Sequence, residues 1–147
     1  MPPNMRFSRP PLGRSAEAQA VGPRQCSSYT LFAEVLMIHI IREPATPAQV
    51  QAMLQDLGAY IKLAVDIDRE ILAGGGTLHA DCEAVLLEDG SQQESIWGAD
   101  WLPETQQVTF ESLINVRPRQ NNRSTEIQDP DIRAQVAAIA QRLLGAR

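Results

Sequence analysis

The chain has 147 residues, enough for one domain with a real core, and its 44% hydrophobic and 21% charged residues are ordinary for a globular protein. A formal charge of −5 and a pI near 5.0 speak against a general nucleic-acid binder, which needs a basic footprint. No apolar run approaches the roughly 18 residues of a membrane span.

The cysteines, Cys26 and Cys82, form neither a disulfide framework nor a metal-binding spacing, which fits a reducing cytoplasm. Residues 1–36 are rich in Pro, Ser, Arg and Gly without periodicity. Such a stretch cannot bury enough apolar surface to offset its ordering entropy, and it lacks the apolar core of a secretory signal. It reads as a disordered extension or a misassigned start, ahead of a single α+β domain over 37–147.

From Met37 the elements are legible. MIHIIR (37–42) is a short apolar strand, and His39 within it is a core or edge histidine. A helix follows from Thr46, with Pro47 at its first position and Gln49 completing a capping box. Val50, Met53, Leu54 and Leu57 give it one apolar stripe, and Gly58 ends it. YIKLAVDID (60–68) alternates as a strand, with Lys62, Ala64, Asp66 and Asp68 on one face. A turn near Asp68–Arg69 leads to a return strand, EILAG, although the turn has no Gly or Asn to favour it. GGG (74–76) is a joint into a helix over TLHADCEAVLLEDG, in which Cys82 is a buried residue. Asp81 and Glu83 sit near the positive end of that helix.

QESIWGADWL (93–102) and QVTFESLINVRP (107–118) make a hairpin, with Trp97 and Trp101 on one core face. Asp129 and Pro130 open a last helix whose stripe is Ile132, Val136, Ile139, Ala140, Leu143 and Leu144. The expected fold is α+β: a mostly antiparallel sheet with about three helices packed on one face, the other face polar.

The blocks KLAVDI, LHADCE, LLEDGSQQ, WGADW and ESLINVRPRQNNRSTEI, in that order, resemble a small bacterial family known only as a domain of unknown function. The resemblance covers roughly residues 37–147. It implies no activity, and it sets the first 36 residues apart from the core.

Two functional readings follow. If 108–117 is one strand, Glu111, Asn115 and Arg117 stand in a row that Pro118 terminates, followed by Asn121 and Arg123 in a polar loop. An acceptor, an amide and a bidentate cation suit a small polar ligand. A structural role, with Arg117 held by Glu111 or another carboxylate and the asparagine amides serving the loop backbone, is the plainer use of the same groups. The region 66–104 carries ten acids against the single base Arg69, so partners are plentiful. On this reading the protein is a non-enzymatic binding or self-associating domain, cytoplasmic and without a cofactor. The alternative is a divalent-metal-dependent hydrolase or nuclease drawing ligands from Asp66, Asp68, His79, Glu83 and Glu111, since carboxylate clusters suit hard cations. It lacks paired His or Cys spacing, and Leu113 stands where a nuclease would want a lysine after Glu111.

Deleting residues 1–36 is expected to leave the melting temperature unchanged. A drop of several degrees in a calorimetric scan would show that the segment docks on the core.

Overall fold

A computed structural model describes residues 37–146, so the expectations for residues 1–36, Cys26 included, fall outside it. Five strands form one antiparallel sheet in the order β1-β3-β2-β4-β5: β1 (His39–Ile41), β2 (Ile61–Asp66), β3 (Ile71–Gly74), β4 (Ile96–Leu102) and β5 (Gln107–Thr109). Three helices accompany it among the described residues: α1 (Pro47–Leu54), α2 (His79–Glu88) and α3 (Pro130–Leu144). This is the expected α+β class.

Local chemistry explains most boundaries. At α1 both arms of the capping box are made: the Gln49 amide donates to the Thr46 hydroxyl at 3.1 Å, and the Thr46 amide donates to the Gln49 side chain at 2.9 Å. At α3 the Asp129 carboxylate accepts from the Asp131 amide at 2.8 Å, and Pro130 occupies the first turn. The β2–β3 turn manages without Gly or Asn because the Asp66 carboxylate accepts from the amides of Asp68 and Arg69 at 2.9 and 3.0 Å. Glu70 takes the left-handed conformation there at φ 57. The triple glycine marks a close approach: a Cβ on Gly75 would lie 2.4 Å from the Met37 carbonyl oxygen.

The sheet is covered on both faces, not one. Residues opposed across an antiparallel ladder share a face. Ile61, Leu63 and Val65 are opposite Trp101, Ala99 and Trp97, and this face is buried with Met53 of α1 and Val136, Ile139, Ala140 and Leu143 of α3. Ala64 is opposite Ala73 and Gly98 on the other face, where Cys82 and Leu86 of α2 pack. Small side chains down the middle of that face let α2 settle close to the backbone. The Cys82 thiol lies 3.3 Å from the Gly75 carbonyl, and burial, with Asp81 beside it, pushes its pKa up to about 12.

The second hairpin strand also departs from expectation. Alternation predicts a strand to residue 117, but β5 ends at Thr109 and residues Leu113–Asn115 form a 3-10 turn. Asp100 pairs with Thr109, a register that would put residue 111 opposite Gly98. Instead Glu111 bridges Glu126, and the Asn115 carboxamide takes the vacated place. Its oxygen accepts from the Gly98 amide at 2.8 Å, and its nitrogen donates to the Gly98 carbonyl at 3.0 Å. The detour passes directly over Gly98, where a Cβ would lie 2.5 Å from that of Ser112.

Asn115→Ala is expected to cost on the order of 3 kcal/mol in denaturant unfolding, since each buried group left unpaired costs about 1–3 kcal/mol. Gly98→Ala should also destabilise, by displacing the 112–115 turn. Either substitution leaving the midpoint unmoved would refute the side-chain ladder.

Candidate functional site

The row of Glu111, Asn115 and Arg117 does not exist. With the strand broken at Thr109, these side chains part company: Glu111 is exposed, Asn115 is fully buried and Arg117 points to α2. The Asn115 amide nitrogen also reaches the carbonyls of Phe110 and Thr125 at 3.2 and 3.1 Å. Asn122, likewise buried, donates to the carbonyls of Asn115, Ser124 and Glu126 at 2.8–3.0 Å and accepts from the Gln128 amide at 2.8 Å. These two asparagines serve the loop backbone, as the plainer reading requires. Asn121 contributes by its backbone, turning the chain at φ 61. Arg123 is exposed, and its amide donates to the Gln128 side chain.

Arg117 is held by a carboxylate, but it is Glu83 rather than Glu111. Its guanidinium lies 3.3 Å from the Glu83 carboxylate and donates to the carbonyls of Ile114 and Gln93 at 2.9 and 2.7 Å. It also stacks over the Trp97 ring, 4.8 Å from the centroid. The side chains of Arg117 and Glu83 are only 9% and 13% exposed. Burial lowers the Arg117 pKa from its ordinary value, and Glu83 and Glu94 oppose the shift.

The proposed metal ligands scatter. Asp66 caps the β2–β3 turn, Asp68 accepts from the Ser95 hydroxyl, Glu83 holds Arg117, and Glu111 stands on an exposed edge. Among the described residues, no three His, Cys, Asp or Glu side chains gather to hold an ion.

His79 belongs elsewhere. Because β5 stops short and the chain detours over Gly98, part of the α2-side face stays uncovered between the start of α2 and residues 108–114. A cleft of about 870 Å³ opens there. Its floor is a row across three strands: Lys62 is opposite Asp100, and Asp100 is opposite Thr109. His79 leans in from α2, with its Nε2 2.8 Å from Asp100 Oδ1 and 3.1 Å from the Ala99 carbonyl. The Thr109 hydroxyl donates to Asp100 Oδ2 at 3.4 Å. The walls include Leu78, Phe110, Leu113 and Ile114, with Leu78 56% and Leu113 81% exposed at the rim. Lys62, Asp100 and Thr109 were not singled out from the sequence. Lys62 is the only lysine in the chain, and that was the available cue.

A family model described as "Protein of unknown function (DUF5674)" matches residues 39–143, from the first residue of β1 to the last turn of α3. The chain belongs to this family. No curated protein and no solved structure matches it. Membership in the DUF5674 family assigns no reaction, so the functional argument rests on the cleft. Among the described residues, no helix is long and apolar enough to cross a membrane.

Arg117→Met is expected to cost about 1.5–3 kcal/mol, the range for a hydrogen bond to a charged group, and to speed amide exchange over 118–125. Adding Glu83→Gln should recover part of the loss by removing the stranded carboxylate. Strictly additive losses would mean that the pair is not coupled.

Proposed function

We propose that the domain is a binding module whose ligand is a small amphipathic molecule seated in the cleft above Lys62, Asp100 and Thr109. The observation that carries this reading is a row of polar side chains on an uncovered strip of a sheet that is elsewhere packed on both faces. Bare strips of sheet are usually filled by side chains of the fold itself; this one is left open and lined with apolar walls around a few convergent polar groups, the common make-up of a small-molecule site. The binding role first placed on the Glu111–Arg123 segment moves here, with Glu111 alone of that set lining the cleft.

Screening a fragment library by amide chemical shifts should place the largest changes at residues 62, 79 and 109–113. Changes confined to the Arg119–Arg123 loop would contradict the reading. The exposed rim leucines favour one other use of the same surface, self-association. Sedimentation separates the two: a dimer that Leu113→Ser dissolves would replace the ligand by a second copy of the chain.

A further inference from the structure

We propose that the ligand of this cleft is a hydroxy monocarboxylic acid with an apolar body, an inference that rests on the cleft being a binding site. The hydrogen bonds of His79 fix its tautomer. Both groups that Nε2 faces, the Asp100 carboxylate and the Ala99 carbonyl, are acceptors only, so Nε2 must carry the proton. In the neutral ring Nδ1 therefore holds a lone pair, and it has no hydrogen-bond partner among the described residues. It is an acceptor waiting for a donor, and a hydroxyl supplies one.

The carboxylate of the ligand is matched by Lys62. Of the cations at the cleft, Arg133 is engaged, 3.9 Å from Glu126 and stacked on Phe110. Lys62 has no carboxylate partner among the described residues, and its ammonium lies over the Tyr60 ring, 5.5 Å from the centroid. Strand partners have Cα atoms about 5 Å apart, so Lys62 rises beside Asp100, the residue whose carboxylate also holds His79. A cationic donor and a bare acceptor thus line one cleft, the first suited to a carboxylate and the second to a hydroxyl. Asp100 hydrogen-bonds His79 and Thr109 and makes no ion pair with Lys62 among the described residues. Glu111, a carboxylate without a side-chain partner among the described residues, also lines the cleft and disfavours a second negative charge on the ligand. Leu78, Phe110 and Leu113 receive the apolar body.

Three probes separate the terms: mandelate, phenylacetate (no hydroxyl) and methyl mandelate (no charge). Calorimetry on the full chain should find mandelate at least tenfold tighter than either of the others. Nitrogen NMR of the two histidines should show an unprotonated Nδ1 on His79 that shifts with mandelate and not with phenylacetate. In Lys62→Gln, mandelate and methyl mandelate should bind within about twofold of each other. Equal affinities in the wild type, or a proton on His79 Nδ1 in the neutral ring, would overturn the inference without use of any variant. Should none of the three bind while other fragments still perturb the cleft, the hydroxy-acid inference falls and the cleft reading stands. If no fragment perturbs the cleft, both fall.

Discussion

The fold turns on one substitution of a side chain for a strand. At Gly98 the sheet still presents an amide and a carbonyl outward, but the neighbouring strand has already left. Water cannot satisfy them beneath the 112–115 turn, and two unpaired buried groups would each cost about 1–3 kcal/mol. The Asn115 carboxamide has one acceptor and one donor at nearly the spacing of a peptide unit, and it completes the ladder. Three consequences follow from that replacement. The turn must lie on the sheet, so residue 98 can carry no Cβ. The loop beyond must fold back, which Asn122 and Arg117 arrange. And the strip of sheet over Asp100 and Lys62, which a longer β5 and its flanking chain would have covered, stays open.

The charge pattern of the sequence resolves on the same frame. The acids of 66–104 are not one solvated face. Glu83 faces Arg117 at 3.3 Å, with both side chains nearly buried. Asp89 draws Arg42 and Arg69 together at 2.7 and 2.8 Å, and those hydrogen bonds hold its carboxyl below the ordinary value of 3.8. Exposure ranks the two. Asp89 and its partners are a quarter to a half exposed, so the screened pairs are worth roughly 0–1 kcal/mol each. Arg117 and Glu83 are nearly closed off, and their geometry matters more. Arg119 and Arg123, the arginines that follow Arg117 in the chain, are exposed.

Legibility in the sequence followed the range of the interaction. Thr46 with Gln49, Asp129 with Pro130, and the stripe from Ile132 to Leu144 act within a turn or two, and both helices start where these caps put them, although α1 ends at Leu54 rather than running through Leu57 to Gly58. The error at 108–117 has a physical cause: Val108, Phe110, Ile114 and Val116 keep a period of two in the sequence, but they do not share a face. Val108 and Phe110 pack on one core cluster, Ile114 packs on the other, and Val116 is exposed. Ser112, whose hydroxyl accepts from the Ile114 amide, was the local sign of a turn. Asn115, an amide inside an apolar run, was the other. The second covered face was missed because Lys62, Ala64 and Asp66 read as polar. Ala64, Ala73 and Gly98 together read differently, as the small-residue floor that a close-packed helix needs, but only the register brings them side by side.

The cleft shows why a site of this kind is invisible to spacing. His79 and Asp100 are 21 residues apart, on a helix and a strand that meet only after β2 has paired with β4. No motif records that encounter. What the assembled arrangement has is a balance of satisfied and spare capacity. Asp100 holds His79 and Thr109 and makes no ion pair with Lys62 among the described residues. The Nε2 proton is spent on acceptors of the fold, which leaves Nδ1 as the bare atom. A polar cluster wholly satisfied within the fold would be structural, and one wholly unsatisfied would be too costly to keep beside an apolar wall. This one is partly satisfied: Asp100 and the Nε2 proton are engaged, while Lys62, His79 Nδ1 and the Glu111 carboxylate are spare, and the proposed ligand chemistry rests on those three groups.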